Sequence, residues 1–425
     1  MNPFLEEIKG KKVLVFGLGR QGGGTGDRDW LIRHGATVRI SDKDLAQCPE
    51  GQTKEQIDWS EIIIKNPGVS DDHELIVYAK SRNIPVYTSI AVFNKYADII
   101  KIGVTGTRGK STTVGLITSL LNSAFPGQVI SGGNIAGTSC LELFDHLDGK
   151  KYAVLELSSF QLHNFHDLRV SPNIAVITNL YPDHLNRYHD MEDYRRDKEA
   201  IVLYQQSGDT ALFNEDNFGA NEIGLLGKGK RITYSADNVS NWTTSLPGLH
   251  NRENIAAMWA VGQLLGIEES MCRSIAKNFV GLPFRQEKIR ELNGIVYIND
   301  TTATTPVAAI KALQAAMTPT IWITGGDTKN LPFDKLLKEI EHNQKIKNIV
   351  ILGSKNIPEY TSALENLAKD KIVGRASTMQ EAIDLAQSVA SDGDTILLSP
   401  GFASFDLFQN EFDRGRQFNE IVNRL

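Results

Sequence analysis

Short apolar runs recur along the chain, each closed by glycines or polar residues and followed by a helical stretch, and this alternation constrains the fold more than any other feature. Lys12-Val13-Leu14-Val15-Phe16 ends in Gly17-Leu18-Gly19, and Thr37-Val38-Arg39-Ile40 ends in Ser41-Asp42. Ile62-Ile63-Ile64 and Pro85-Val86-Tyr87 keep the rhythm. A second series starts at Ile99 to Val104 and continues through Tyr152 to Leu157 and Asn173 to Asn179, with Asn254 to Leu265 reading as a helix. A third follows Gly281-Leu282-Pro283, with runs at Ile295 to Ile298, Thr320 to Thr324, Asn348 to Leu352 and Asp394 to Leu398. Strands alternating with helices build parallel sheets covered on both faces. The expected fold is α/β in three domains, residues 1–97, 98–281 and 282–425.

Composition agrees with that plan. The 425 residues suit about two or three domains, and 41% hydrophobic with 23% charged residues lets each bury a core. A net charge of −6 argues against a nucleic-acid surface. Cys48, Cys140 and Cys272 show no metal spacing and fit free thiols in a reducing compartment. No run approaches the ~18 apolar residues of a membrane span. The opening MNPFLEEIKGKK has no apolar signal core. A cytoplasmic protein without membrane insertion is expected.

Two glycine loops carry the first chemical signal. Gly17-Leu18-Gly19-Arg20-Gln21-Gly22 matches G-x-G-x-x-G, with Asp42 lying 20 residues beyond Gly22. That arrangement suits a dinucleotide, with amides on the pyrophosphate and the acid on a ribose hydroxyl. A strand–loop–helix turn also needs glycines for packing alone, so both readings stand. The second loop, GVTGTRGKSTT from Gly103 to Thr113, follows a strand and opens a helix at Ser111 to Leu121. The common phosphate loop, G-x-x-x-x-G-K-[ST], has glycine where this chain has Val104. Lys110 still follows a glycine, where it can reach β- and γ-phosphates. Ser111 and Thr112 set hydroxyls at a helix N-terminus, where anions and their magnesium ion are favoured. The pair suggests ATP in the middle domain and a different nucleotide-like ligand in the first. The expected architecture is N-terminal Rossmann-like, central P-loop ATPase-like and C-terminal Rossmann-like.

Further motifs narrow the reading. Thr105-Gly106-Thr107-Arg108-Gly109-Lys110-Ser111-Thr112 resembles the T-G-T-[NR]-G-K-[ST] loop of the Mur ligases, the ATP-dependent amide-forming enzymes of peptidoglycan precursor synthesis. Leu155 to Leu162 (LELSSFQL), Asn179 to Leu185 (NLYPDHL) and Gly248 to Asn254 (GLHNREN) follow in that family's order. Within the family the chain is most similar to the glutamate-adding members. Gly281-Leu282-Pro283 with Arg285, Asn299-Asp300 followed by Ala303-Thr304, and Ser399-Pro400 with Ala403-Ser404 point there. The first loop would then hold the UDP of a substrate, not NAD.

The resemblance implies ligation of glutamate to UDP-N-acetylmuramoyl-L-alanine, with ATP turning the carboxylate into an acyl phosphate. It assigns Gly106, Thr107, Gly109, Lys110, Ser111 and Thr112 to the ATP phosphates, Asn254 to the adenine side, and Arg285 and Asp300 to ATP phosphate and ribose. Catalysis would then depend on domain closure. It places two magnesium ions near Ser111, Glu156, His184 and Lys198, the last as a carbamate. Lys110, Glu156, His184 and Lys198 form the implied catalytic set. Arg20, Gln21, Asp42 and Lys43 would meet the uridine diphosphate beside Asn66-Pro67-Gly68, and Asn134 and Ser158 the UDP-sugar. Thr304, Lys329, Ser404 and Phe405 would hold glutamate.

Three positions depart from the pattern: Thr302 where well-known members have lysine, Phe284 where histidine is frequent, and Glu411, beside Phe412, where an aromatic is usual. D-glutamate is the expected substrate, and these departures keep L-glutamate as the alternative. A monomer is expected. Two readings from other classes are a nicotinamide-dependent oxidoreductase, resting on Gly17 to Gly22 with Asp42, and a non-catalytic scaffold. The joint presence of Lys110, Glu156, His184 and Lys198 argues against the scaffold.

Overall fold

A computed structural model describes residues 3–19, 23–134, 139–183, 188–246, 248–327, 332–353, 357–404 and 407–425. The chain divides into two compact units, Met1–Phe279 and Val280–Leu425. The first unit contains two sheets. The smaller is built from β1 (Lys12–Phe16), β2 (Thr37–Ser41), β3 (Ile62–Lys65) and β4 (Val86–Tyr87), in the order β2-β1-β3-β4. The larger comprises β5 (Ile100–Thr105), β6 (Val129–Gly133), β7 (Tyr152–Glu156), β8 (Ile174–Ile177), β9 (Thr210–Asn214) and β10 (Lys230–Tyr234), in the order β10-β9-β8-β5-β7-β6. Every pairing in both sheets is parallel.

The second unit has one sheet: β11 (Glu287–Leu292), β12 (Ile295–Asn299), β13 (Thr320–Gly325), β14 (Ile346–Leu352), β15 (Ile372–Ala376) and β16 (Thr395–Gly401), in the order β11-β12-β16-β13-β14-β15. Only β11 runs antiparallel, against β12. Interior strands are apolar on both sides because helices cover both faces. In β1, Val13 and Val15 enter one core with Phe4 and Trp30, while Leu14 and Phe16 enter another with Ile57 and Ile76. In β13, Ile321 and Ile323 pack with Phe418, and Trp322 packs with Leu313 on the opposite side.

Side chains tie the two sheets of the first unit together. Ser139 donates to Asp27 at 2.5 Å, and the Trp30 indole donates to Asp145 at 3.0 Å. Asp71, just after β3, pairs with buried Lys65 and with His163 of the larger sheet's layer at 3.3 Å. His163 meets Asp197 at 2.8 Å, and the two carboxylates push the imidazole up to about 10.

The helix after β5 runs Lys110–Ala124 and buries Val114, Ile117 and Leu121, the i, i+3, i+7 spacing of one face. The helix expected at Asn254 begins at Leu249 and ends at Leu264. Among the described residues no helix is long and apolar enough to cross a membrane.

Candidate active site

Ligands of parallel sheets sit beyond the carboxyl ends of the strands, and β5 ends in the loop carrying Gly106 and Gly109. Gly109 adopts φ +81, a left-handed conformation, and a Cβ there would stand 2.3 Å from Asn254 Oδ1. At Gly106 (φ +153) a Cβ would meet Thr178 Oγ1 at 1.9 Å. Both glycines are therefore required by close approach, and Val104 lies within β5 rather than in the loop.

The segment after β8 grips the loop from behind. Arg108 N donates to Asn179 Oδ1 at 2.9 Å, and Asn179 Nδ2 donates back to Arg108 O at 3.1 Å. Thr178 Oγ1 also donates to Arg108 O, at 2.7 Å. Thr107 N donates to Asn179 O, and the Thr107 hydroxyl lies 3.2 Å from that of Tyr194. On the far side, buried Asn254 accepts from Thr113 Oγ1 at 3.2 Å. Its side chain lies beneath the loop, against Gly109. Ser111 and Thr112 occupy the first turn of the helix.

Two lysines converge on the Gly106 carbonyl. Lys110 Nζ donates to it at 2.9 Å and to Thr107 O at 3.2 Å. Lys198 Nζ donates to it at 3.2 Å and to Thr105 Oγ1 at 3.3 Å. Lys198 lies on the helix Met191–Leu203, four residues after Tyr194, so both face the loop. It is 1% exposed and sits 4.9 Å from the Tyr194 ring centroid. Burial, then the neighbouring charge of Lys110, depresses its pKa well below the lysine range. Glu156 closes β7, paired beside Val104 of β5, and is 5% exposed. Asn134 Nδ2 donates to its carboxylate at 3.0 Å. A buried carboxylate and the Ser111 hydroxyl are hard oxygen donors that fit magnesium. The one group of three or more His, Cys, Asp or Glu side chains gathered for a metal among the described residues, His189, Asp190 and Asp193, includes none of the expected ligands.

Other expected residues have local duties. Asp42 accepts from Leu18 N at 2.7 Å and Asp44 N at 2.9 Å, so its carboxylate closes the first glycine loop onto the end of β2. Gly19 (φ +70) would place a Cβ 2.5 Å from the Asn66 side chain. Packing thus accounts for Gly19, and Lys43 is exposed beside the loop. Ser158 is the N-cap of the helix Ser159–Leu168, in a capping box with Gln161. Arg20, Gln21, His184, Lys329 and Phe405 lie outside the described residues.

In the second unit, Asp300 follows β12 and is 7% exposed. Burial pushes its carboxyl up to about 7, partly offset by hydrogen bonds from Ser399 (2.8 Å) and Gln286 N (3.1 Å) and by the charge of Arg285. Arg285 is exposed between Phe284 (φ 67) and Gln286 (φ 47), two left-handed residues without glycine. Such backbone costs energy and is kept where the surroundings impose it. The three departures meet here. Thr302 Oγ1 donates to Phe284 O at 2.9 Å, the Phe284 ring packs edge-on to Phe412 at 6.0 Å, and Glu411 O accepts from Thr301 Oγ1 at 2.9 Å. Thr304 lies in the same loop, and Ser404 is buried after β16.

Sequence reasoning missed Thr178, Asn179 and Tyr194 as supports of the loop, and it missed Arg414. Arg414 is 1% exposed on the helix Glu411–Arg424. It shares the buried face of Phe418, Ile421 and Val422, and a charged residue in register with an apolar stripe is the signal that could have revealed it.

Known proteins are similar to this chain in sequence and fold. The Mur ligase middle domain matches residues 104–255, and the Mur ligase glutamate ligase domain matches residues 284–402. The UDP-N-acetylmuramoylalanine--D-glutamate ligase of Roseiflexus sp. (strain RS-1) is 32% identical, covering 98% of this chain and 99% of its own length. The protein of that name from Christiangramia forsetii is also 32% identical, over 98% of this chain and 100% of its own. Among solved structures, the UDP-N-acetylmuramate-alanine ligase MurC from Thermotoga maritima aligns with a TM-score of 0.61 at 19% identity, covering 97% and 99% of the two chains. The MurF ligase of the same organism, in complex with ADP, aligns at 0.58 and 17% identity over 99% and 96%. These last two speak for the fold alone. With full-length relatives above 30% identity and two domain matches in sequence order, the chain belongs to the Mur ligase family.

Proposed function

We propose that the chain catalyses ATP-dependent ligation of D-glutamate to UDP-N-acetylmuramoyl-L-alanine through an acyl phosphate, as a step in peptidoglycan precursor synthesis. The convergence of Lys110 and Lys198 on the Gly106 carbonyl, with buried Glu156 ending the neighbouring strand, is the observation that carries the reading. The full-length relatives named for D-glutamate support that enantiomer over L-glutamate, and they support a ligase over an oxidoreductase or a scaffold.

A carboxylate is a poor acyl donor because oxide would have to leave. Phosphoryl transfer from ATP replaces that leaving group with phosphate, and the amine of glutamate then attacks the acyl carbon and expels it. The protein's share is alignment and charge stabilisation. Lys110 swings from its own loop carbonyls to the transferred phosphoryl. The helix N-terminus at Ser111 and Thr112 presents backbone N–H groups to the phosphates. Ser111 and Glu156, with His184, would hold magnesium, which supplies positive charge to the phosphate oxygens. Lys198 is the site of carbamylation: its neutral amine adds carbon dioxide and releases a proton, turning a buried neutral amine into an anion able to face a metal. Asn254 would meet the adenine side of ATP. Arg285 and Asp300 serve the nucleotide's phosphate and ribose, and Thr304, Lys329, Ser404 and Phe405 serve glutamate. Arg20, Gln21, Asp42 and Lys43 would meet the uridine diphosphate, and Asn134 and Ser158 the UDP-sugar. The reading carries with it a three-domain division near residues 97 and 281, a monomer, and a cytoplasmic setting.

Phosphate release from ATP with UDP-N-acetylmuramoyl-L-alanine and either D- or L-glutamate tests it. Turnover with D-glutamate is expected. Turnover with L-glutamate alone reverses the stereochemistry, and release with neither glutamate but with another amino acid overturns the assignment.

A further inference from the structure

The geometry points to Arg414 as a positioning residue that fixes the loops after β12 and β16 and makes the crevice above them selective for an amino acid bearing an extra carboxylate. This rests on the proposed ligase reading and adds a residue to it. β12, β16 and β13 are neighbours in the sheet, so the loops at their carboxyl ends, around residues 300–304, 401–404 and 325–327, share one rim. Crevices of parallel sheets take ligands there.

Arg414 reaches this rim from below. Its Nε donates to Thr301 Oγ1 at 2.9 Å and its Nη2 to Thr301 O at 2.9 Å. Both terminal nitrogens donate to Phe402 O at 3.3 Å, and Nη1 reaches Ala403 O at 3.4 Å. One planar fork thus joins two loops, a task for which lysine, with a single nitrogen, lacks the geometry. The rim is tied further by Gly401 N to Ala303 O at 2.8 Å, and by a mutual pair between Asp327 and Ala403 at 2.7 and 3.0 Å. Gly326 (φ +136) completes the fit, since a Cβ there would stand 2.1 Å from Ala403 O and 3.3 Å from Arg414 Nη1.

A second observation at the same rim calls for a ligand. Ser404, the next residue after Ala403, is 2% exposed, and its hydroxyl has no hydrogen-bond partner. A buried hydroxyl is ordinarily satisfied, and a carboxylate oxygen accepts from it well. The five bonds of Arg414 go to carbonyl and hydroxyl oxygens, which leave its charge in place. Away from water that charge acts over a longer distance than at the surface. An anionic amino acid gains from it and a neutral amide does not. Burial lowers the guanidinium to about 9, so it stays charged at neutral pH.

The test uses the full chain and the variants Arg414→Lys and Ser404→Ala, with KM and kcat for D-glutamate and D-glutamine, KM for ATP, and the melting temperature. Arg414→Lys is expected to raise KM for D-glutamate about tenfold or more and to narrow the preference over D-glutamine, while KM for ATP stays within about twofold. Ser404→Ala is expected to raise KM for D-glutamate with an unchanged melting temperature. An Arg414→Lys enzyme with wild-type KM and preference overturns the inference. So does a loss shared equally by all substrates with a lowered melting temperature, since that is what a purely structural arginine would give. If the wild-type chain turns over no glutamate, the proposed function fails, and calorimetric titration of glutamate, aspartate and glutamine decides the inference. Tighter binding of the acids that Arg414→Lys abolishes upholds it; equal or absent binding overturns it.

Discussion

A lysine held 1% exposed beside a second lysine is a poor cation and a ready nucleophile, and Lys198 is such a residue. Carbon dioxide adds only to the neutral amine, so a depressed pKa shifts Lys198 toward carbamate at lower pH than a surface lysine. Incubation with ¹³C-bicarbonate should give one protein-bound carbamate carbon resonance, stronger at pH 8 than at pH 6 and missing in Lys198→Arg; its persistence in that variant would sink the assignment. Lys110→Met should lower phosphate release by a factor on the order of 10² or more, with little change in melting temperature, as the loss of charge on a transferred phosphoryl implies. Asp300 gives a pH test. Its folded value of about 7 lies above the ordinary 3.8, so the folded protein holds a proton that the unfolded chain has lost. Stability from this group therefore falls as pH rises from about 4 to about 7 and stays low above that. Asp300→Asn should gain on the wild type between pH 5 and pH 8, by an amount on the order of 2–3 kcal/mol; a flat difference in melts across that range would refute it. The chemical residues, Lys110, Glu156 and Lys198, were legible because they sit in linear motifs. Thr178, Asn179 and Arg414 were not given these roles, because their work is to bond segments far away in sequence.

At the scale of elements, legibility followed burial in the two six-stranded sheets, whereas β2 and β4, the edges of the smaller sheet, were legible all the same. The interior strands β1, β5, β7, β8, β13 and β16 read as apolar runs because both their faces are covered. The pattern missed β6, β10, β11 and β15, which are the edges of the two six-stranded sheets. Edge strands carry polar residues and glycine that discourage pairing with other chains, so Lys230-Arg231 in β10 and Gly132-Gly133 in β6 hide them. β9 was also missed: Thr210-Ala211-Leu212-Phe213-Asn214 is buried, but only three of its residues are apolar. The phosphate-loop glycines show a different kind of limit, since the need for glycine at Gly109 comes partly from Asn254 on a remote helix. Gly109→Ala should cost about 1–2 kcal/mol from its left-handed backbone, plus the clash. Adding Asn254→Ala should remove the clash and leave the backbone cost, so the double variant is more stable than the sum of the singles predicts. Strict additivity in chemical denaturation would show that the two residues do not meet.

The whole molecule is built of two units with separate cores. Val280–Leu425 has two apolar clusters formed by its own strands and helices, Ile321, Val350 and Phe418 in one and Trp322, Leu336 and Tyr360 in the other. Expressed alone, residues 280–425 should melt in one cooperative transition by circular dichroism; a broad, sloping melt would mean that its core is incomplete. The first unit behaves differently. Its two sheets were legible as separate series in sequence, yet Ser139 on Asp27, Asp145 on Trp30, and His163 between Asp71 and Asp197 join them. Asp197 precedes Lys198 on the same helix, so the smaller sheet ends two side chains from the buried lysine. For anyone building chimaeras this sets the terms of exchange. The first ninety-seven residues are not an interchangeable cassette: a replacement taken from a relative must bring partners for Ser139, Asp145 and His163, or the graft will leave those side chains without their mates and loosen the helix that carries Lys198.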